Sequence, residues 1–197
     1  MNQALFAPKG MTAEEYLVWQ ETQLERYDFY NGEVFAMSGG TDAHNTVTLN
    51  AAVELKNHLK GTPCRVFMSD VQLQLSSASH YAYPDVFVTC DPRDKTPESS
   101  LQKQFPCLII EVLSPSTSDY DQGIKFDAYR AIQTVQEVLF IQVDRRTAML
   151  YQRSTSPQWL LTPATLADTL SLKSVGLELA VAAFFEGLDQ AQAALNA

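Results

Sequence analysis

The stretch CLIIEVLSPSTSDYDQGIKF, residues 107–126, places one glutamate, Glu111, inside a run of aliphatic residues. Continuous apolar runs that end in turn residues are typical of buried strands. A carboxylate in such a strand costs several kcal/mol unless a cation or hydrogen bonds compensate its charge. Glu111 is therefore the first candidate functional residue, and the rest of the chain must supply whatever holds it.

The composition is that of a globular protein. Hydrophobic residues make up 46% of the 197 residues and charged residues 19%, which excludes a disordered chain. The length fits a single domain over residues 1–197. No apolar segment approaches the roughly 18 residues of a membrane span, and the first residues do not resemble a signal peptide. We therefore expect no membrane association and a cytoplasmic location.

The chain has three cysteines, Cys64, Cys90 and Cys107. Their odd number and uneven spacing fit neither a disulfide framework nor a zinc site. We expect free thiols in a reducing compartment.

The formal net charge of −9 argues against a generic nucleic-acid binder, whose surface would be basic. It does not exclude an enzyme that holds nucleic acid through a bound cation.

The order of predicted elements indicates a mixed α/β or α+β domain around one central sheet. Thr12 and Glu15 form a capping box at the start of the first helix, and Asn31-Gly32 is a strong hairpin signal. The predicted elements are a helix at 11–23, a hairpin at 26–38, a helix from 41 or 42 to about 60, strands at 64–75, 81–90 and 106–114, a helix from 118, strands at 137–144, 148–153 and 159–165, and a short helix at 176–188.

Asp85 repeats the pattern of Glu111 one strand earlier, because it follows Pro84 and precedes Val86-Phe87-Val88. Neighbouring strands usually pair, which would bring the two carboxylates together. Adjacent carboxylates in an apolar sheet cannot both stay ionised cheaply, so one is protonated or a cation lies between them. Hard divalent cations prefer such oxygen ligands. Asp70, in contrast, is typical of a turn aspartate.

Lys125 and Tyr129 lie one turn apart on the helix predicted after the Glu111 strand. A helical lysine usually faces solvent. The position of Lys125 directly after the Glu111 strand favours a role beside that carboxylate.

These motifs resemble the Uma-two (Uma2) family of restriction-endonuclease-like proteins in the PD-(D/E)xK superfamily. The resemblance is carried by YNGEVFAMSGGTDAHN, CRVFMSD, the PDV of one strand, the EVLSPST of the next, and the lysine and tyrosine that follow. It implies a restriction-endonuclease-like core at about 41–153, with a central mixed β-sheet flanked by helices and an N-terminal helix and hairpin as an extension. It also implies metal-dependent hydrolysis of phosphodiester bonds in DNA by a homodimer.

The resemblance implies a Mg²⁺ or Mn²⁺ site made by Asp85, Glu111, the carbonyl of Val112 and Glu33. Glu33 has an alternative interpretation as an exposed hairpin acid. The metal would activate a water and neutralise charge on the scissile phosphate.

The resemblance also assigns Lys125 the role of the superfamily lysine. That lysine normally stands two residues after the glutamate, where this chain has Leu113. The family resembles others in which this lysine lies on the following helix instead. There Lys125 would keep its charge beside two carboxylates, orient water and stabilise the transition state.

Three interpretations stay open at this point. The site is that of a nuclease with Asp85, Glu111 and Lys125 as catalytic residues, or the chain is a catalytically idle nuclease-fold module for assembly or binding. In the third, Glu111 and Lys125 form a structural ion pair that needs no metal. His44 could contact phosphate or the metal's surroundings, although a helix-capping or surface role is the simpler interpretation.

Overall fold

The computed structural model describes residues 9–37, 40–75, 80–95, 97, 100–113, 121–154 and 158–188. Within these residues the strands form a six-stranded sheet, a five-stranded sheet and a two-stranded ribbon. Helices pack against the sheets, so the predicted fold class, a mixture of α and β structure, is confirmed. None of the described helices is long and apolar enough to cross a membrane.

The first two helices begin where the sequence predicts. Helix α1 (Ala13–Gln20) has Thr12 as its N-cap with the complete capping box, and α2 (Asp42–His58) starts after Thr41. A single π-helical turn (Asp121–Lys125) leads into α3 (Phe126–Ala131). The start predicted for this last helix, at residue 118, lies outside the described residues.

The five-stranded sheet has the order β2-β1-β5-β4-β7 and contains the predicted hairpin. Asn31 and Gly32, at its turn, both have positive φ angles, +50° and +83°, which Asn-Gly tolerates at little cost. Its strands are β1 (Tyr27–Tyr30), β2 (Glu33–Ala36), β4 (Gln72–Gln74), β5 (His80–Ala82) and β7 (Gln102–Lys103).

The six-stranded sheet has the order β11-β10-β9-β8-β6-β3 and is mixed, because β8 and β9 run parallel while their neighbours are antiparallel. Its strands are β3 (Arg65–Met68), β6 (Val86–Thr89), β8 (Pro106–Leu113), β9 (Glu137–Gln142), β10 (Thr147–Arg153) and β11 (Trp159–Ala164). The ribbon consists of β12 (Thr169–Leu172) and β13 (Leu177–Ala180).

The predicted central mixed β-sheet flanked by helices is confirmed in the six-stranded sheet, but the strands predicted at 64–75 and 81–90 do not belong to it throughout. Residues 64–75 turn at Ser69, whose φ is +22°, so that β3 joins the six-stranded sheet and β4 the five-stranded one. Residues 81–90 divide in the same way, and Tyr83-Pro84-Asp85 carries the chain from β5 to β6. Asp85 therefore lies at the junction of the two sheets.

The short helix predicted at 176–188 is also wrong in its first half. Leu177–Ala180 pairs with Thr169–Leu172 as a strand, and Val181–Phe185 forms a 3₁₀ helix. The apolar residues of this segment therefore belong first to a strand and then to a short 3₁₀ helix.

The side chains of the six-stranded sheet alternate between two apolar layers. Helix α2 covers one layer and α3 covers the other. The first layer contains Val47, Ala51, Leu55, Val86, Val88, Leu108, Ile110, Leu139 and Ile141. The second contains Phe87, Ile109, Leu113, Ala128, Tyr129 and Phe140.

The expectation of three free thiols is wrong, because Cys64 and Cys90 form a disulfide. Arg65 pairs with Thr89 at the end of the β3–β6 ladder, which puts the two cysteines opposite each other one step further on. Spacing in sequence cannot reveal that register. Cys107 is a free thiol.

Candidate active site

Asp85 and Glu111 are brought together at the end of the β6–β8 pairing. Val86 is the register partner of Ile110, so Asp85 lies opposite Glu111 in the antiparallel arrangement. The Asp85 N–H points to Glu111 Oε2 at 3.5 Å. Both side chains are buried, with 8% of Asp85 and 2% of Glu111 exposed. The two residues thus lie opposite each other, as the sequence predicts.

The Asp85 carboxylate is fixed by two further groups. The Val112 N–H donates to Asp85 Oδ2 at 2.7 Å, and His44 Nε2 lies 3.3 Å from Asp85 Oδ1. In an extended strand the N–H and C=O of one residue point to the same side. The Val112 carbonyl is therefore directed towards the side on which Asp85 lies, as a carbonyl ligand there would need.

Lys125 and Tyr129 hold the Glu111 carboxylate from the side of α3. Lys125 Nζ lies 3.3 Å from Glu111 Oε1, and the Tyr129 hydroxyl donates to the same oxygen at 2.5 Å. Burial, with Glu111 adding to it, raises the pKa of Tyr129 well above its usual value, so the hydroxyl remains a donor. Leu113, where the superfamily lysine would stand, is buried in the apolar layer under α3.

Asp28 is a member of this cluster that sequence reasoning missed. It lies on β1 with 3% of its surface exposed, and its Oδ2 is 3.1 Å from Lys125 Nζ. Its Oδ1 accepts a hydrogen bond of 2.8 Å from the Tyr83 N–H. The signal was available, since Asp28 interrupts the aromatic run Tyr27-Asp28-Phe29-Tyr30 as Glu111 interrupts its aliphatic run.

Glu33 is placed differently from the other predicted ligands. It is exposed and its Oε1 lies 4.0 Å from Lys9 Nζ. Pairing with Tyr30 puts it on the same face of the hairpin as Asp28, at the outer end. The structure thus brings Glu33 to the side of the hairpin that carries Asp28, but its described ion pair is with Lys9.

The position of His44 depends on a close approach by Gly40. A β-carbon added to Gly40 would lie 2.6 Å from His44 Nδ1 and 3.0 Å from its Cγ. Because these are ring atoms near the base of the side chain, the imidazole would have to move. Gly40 therefore leaves the space in which His44 reaches Asp85.

Glu137 shows what a purely structural buried carboxylate looks like in this protein. It lies on β9, and all of its recorded partners are donors of the protein itself. Its Oε1 accepts from the Lys173 N–H and from Gln152 Nε2, and its Oε2 accepts from the N–H and hydroxyl of Ser174. Two of these four donors are backbone N–H groups and two are neutral side chains, in contrast with the ionisable side chains around Glu111.

The donor chemistry of the cluster fits a hard divalent cation. Among the described residues, no group of three or more His, Cys, Asp and Glu side chains is arranged to hold a metal by itself. Magnesium, however, usually binds one or two protein carboxylates and keeps several waters. Asp85 and Glu111, with the backbone carbonyl of Val112, meet that lower requirement.

Two proteins of Synechocystis sp. are similar to this chain over most of its length. A protein of Synechocystis sp. named "Uncharacterized protein slr1290" is 38% identical over 178 residues, which are 90% of this chain and 93% of that protein. A second Synechocystis protein, "Uncharacterized protein sll1609", is 35% identical over 154 residues, 78% of this chain and 87% of its own.

The fold has a counterpart of known structure. The crystal structure of "a putative nuclease belonging to DUF820" from Anabaena variabilis matches with a TM-score of 0.73 and 18% identity, over 89% of this chain and 97% of that one. At this identity the likeness concerns the fold. The family profile described as "Putative restriction endonuclease" matches residues 13–182. The chain belongs to the Uma2 family and has a nuclease-like fold.

Proposed function

We propose that this protein is a divalent-metal-dependent endodeoxyribonuclease that hydrolyses phosphodiester bonds in DNA. The observation that carries the proposal is the placement of the buried Asp85, directly before β6, opposite Glu111 of β8, with the Lys125 ammonium 3.3 Å from the glutamate. The family and the nuclease-like fold support the reaction class.

Asp85, Glu111 and the Val112 carbonyl would hold Mg²⁺ or Mn²⁺. When bound, such an ion activates a water and neutralises charge that develops on the scissile phosphate. The Val112 N–H and His44 fix the orientation of Asp85, and Tyr129 fixes that of Glu111. Pre-oriented ligands of this kind typically depend on such outer partners for both affinity and activity.

Lys125 supplies a fixed positive charge beside the reacting phosphate. Its ammonium contacts Asp28 and Glu111, an environment that favours the charged form. We therefore assign it the orientation of the attacking water and electrostatic stabilisation of the transition state, rather than the role of a general base.

Glu33, on the same hairpin as Asp28, is proposed to join the site only when substrate or metal draws it from Lys9. A homodimer and a cytoplasmic location stay predictions.

A calorimetric titration with Mn²⁺ tests the metal site. We expect the wild type to bind with a measurable heat and Asp85→Asn to lose most of it. Asp70→Asn is the matched control, since Asp70 is an exposed turn carboxylate near the end of β3. Loss of binding in the control as well, or equal binding in all three proteins, would rule out Asp85 as a ligand.

A second candidate is a catalytically idle module of the same fold. The favouring observation is that Lys125 and Tyr129 already compensate Glu111 without a metal. An idle module would bind Mn²⁺ weakly or not at all and would leave every DNA uncut, whereas the nuclease requires both activities.

A further inference from the structure

Asp28 connects the N-terminal hairpin to the candidate active site. Its Oδ1 accepts from the Tyr83 N–H, where the chain crosses between the sheets, and its Oδ2 lies 3.1 Å from Lys125 Nζ. Buried ion pairs of this kind are strongly coupled, because removal of one partner leaves an uncompensated charge. The geometry therefore ties β1 to the π-helical turn that ends at Lys125.

The Lys125 ammonium is shared between two carboxylates, 3.1 Å from Asp28 Oδ2 and 3.3 Å from Glu111 Oε1. An ammonium held by Glu111 alone would compete directly with a divalent cation for that carboxylate. A second carboxylate on the other side of the ammonium offsets this competition.

We infer that Asp28 is a positioning residue that tethers Lys125, so that the lysine stays at the site while Glu111 remains available to a divalent cation. The inference rests on the proposed function, because it assigns Asp28 a role in the same metal site. Asp28 acts through Lys125 and does not itself ligate the ion.

Two alternatives for Asp28 predict different behaviour. If Asp28 were a third metal ligand, its substitution would lower the cation affinity by the same factor whatever residue stands at position 125. The described residues contain no cluster of three metal-ligating side chains, which argues against that role. If Asp28 were purely structural, its substitution would change the folding stability and leave the cation affinity of the folded protein unchanged.

The test is a double-mutant cycle on Mn²⁺ affinity, measured by calorimetry on the full chain. The proteins are the wild type, Asp28→Asn, Lys125→Met and the double variant. Asn keeps the acceptor for the Tyr83 N–H, and Met keeps most of the lysine stem. We expect Asp28→Asn to weaken binding about 10- to 100-fold, the range typical of groups that support a metal ligand. Lys125→Met should bind at least as tightly as the wild type, and the double variant should match Lys125→Met.

Equal weakening by Asp28→Asn in both backgrounds would identify a metal ligand and overturn the inference, and so would unchanged affinity in Asp28→Asn. A wild type that binds no Mn²⁺ would instead refute the proposed function, which separates the two failures.

Urea unfolding of the four proteins in EDTA gives a second readout that needs no metal. Asp28→Asn should lower the midpoint less in the Lys125→Met background, and additive shifts would refute the tether. If Lys125→Met does not fold, Lys125→Gln replaces it.

Discussion

Lys125 and Asp28 meet at 3.1 Å although they lie on different elements, a π-helical turn and the first strand of the hairpin. The lysine is 7% exposed and the aspartate 3%. This contact means that Glu111 is not the sole counter-ion of Lys125, which changes what a substitution at either position should do.

Glu111→Gln should leave the metal-free protein nearly as stable as the wild type. Lys125 would keep Asp28 as its partner, and one of two facing carboxylates would lose its charge. We expect the free energy of unfolding, measured with urea in EDTA, to change by about 1 kcal/mol or less. Lys125→Met should lower it by about 3 kcal/mol or more, because it leaves buried carboxylates without their counter-ion. An equally large loss for Glu111→Gln would favour a structural Glu111–Lys125 ion pair.

Tyr129→Phe should lower both stability and Mn²⁺ affinity, because it removes the hydroxyl that fixes Glu111 while keeping the ring. Hydrogen bonds to charged groups contribute about 1.5–3 kcal/mol, and outer partners of metal ligands about 10- to 100-fold in affinity. Thermal unfolding and calorimetry measure the two effects. Tyr151→Phe, whose ring packs on Phe126, is the matched control. Similar losses in the control would show that the Glu111 contact is not responsible.

Gly40→Ala should reproduce the effect of His44→Ala. The added β-carbon would displace the imidazole from Asp85, so both variants lose the same contact. We expect about 10- to 100-fold weaker Mn²⁺ binding in each and no further loss in the double variant. Additive losses would mean that Gly40 acts by some route other than His44.

The cysteines should give one titratable thiol per denatured chain without reductant and all 3 after reduction, because Cys64 and Cys90 are bonded. In the folded protein, burial raises the pKa of the Cys107 thiol to about 11. The thiolate is the reactive form, so alkylation should be slow at neutral pH and should accelerate about tenfold per pH unit towards that pKa. Fast labelling at pH 7, or full thiol titration before reduction, would contradict this picture.

The placement of Asp85 opposite Glu111 can be predicted from the sequence because its signals are local. An aliphatic run marks the Glu111 strand, and adjacency in sequence is enough to place Asp85 at the start of the neighbouring strand. The capping box at Thr12 and the Asn31-Gly32 turn are equally local, and both are confirmed.

The features that the sequence did not reveal depend on pairing between strands that are far apart in the chain. Asp28 reaches Lys125 only through pairing of the hairpin with β5, and Cys64 meets Cys90 only through the β3–β6 ladder. The division of residues 64–75 between two sheets occurs at Ser69, without the glycine or proline that normally announces a turn. Such features need the assembled sheets before they can be identified.

Cleavage of supercoiled plasmid DNA with Mn²⁺ tests the central claim most directly, with the wild type, Lys125→Met and the exposed-site control Asp70→Asn at equal concentration. We predict that the wild type and Asp70→Asn nick the plasmid, that EDTA stops both, and that Lys125→Met is slower by about 10²–10³-fold while still binding Mn²⁺. Cleavage by Lys125→Met at the wild-type rate would contradict the assignment of Lys125. Failure of the wild type on every DNA tested would contradict the nuclease itself.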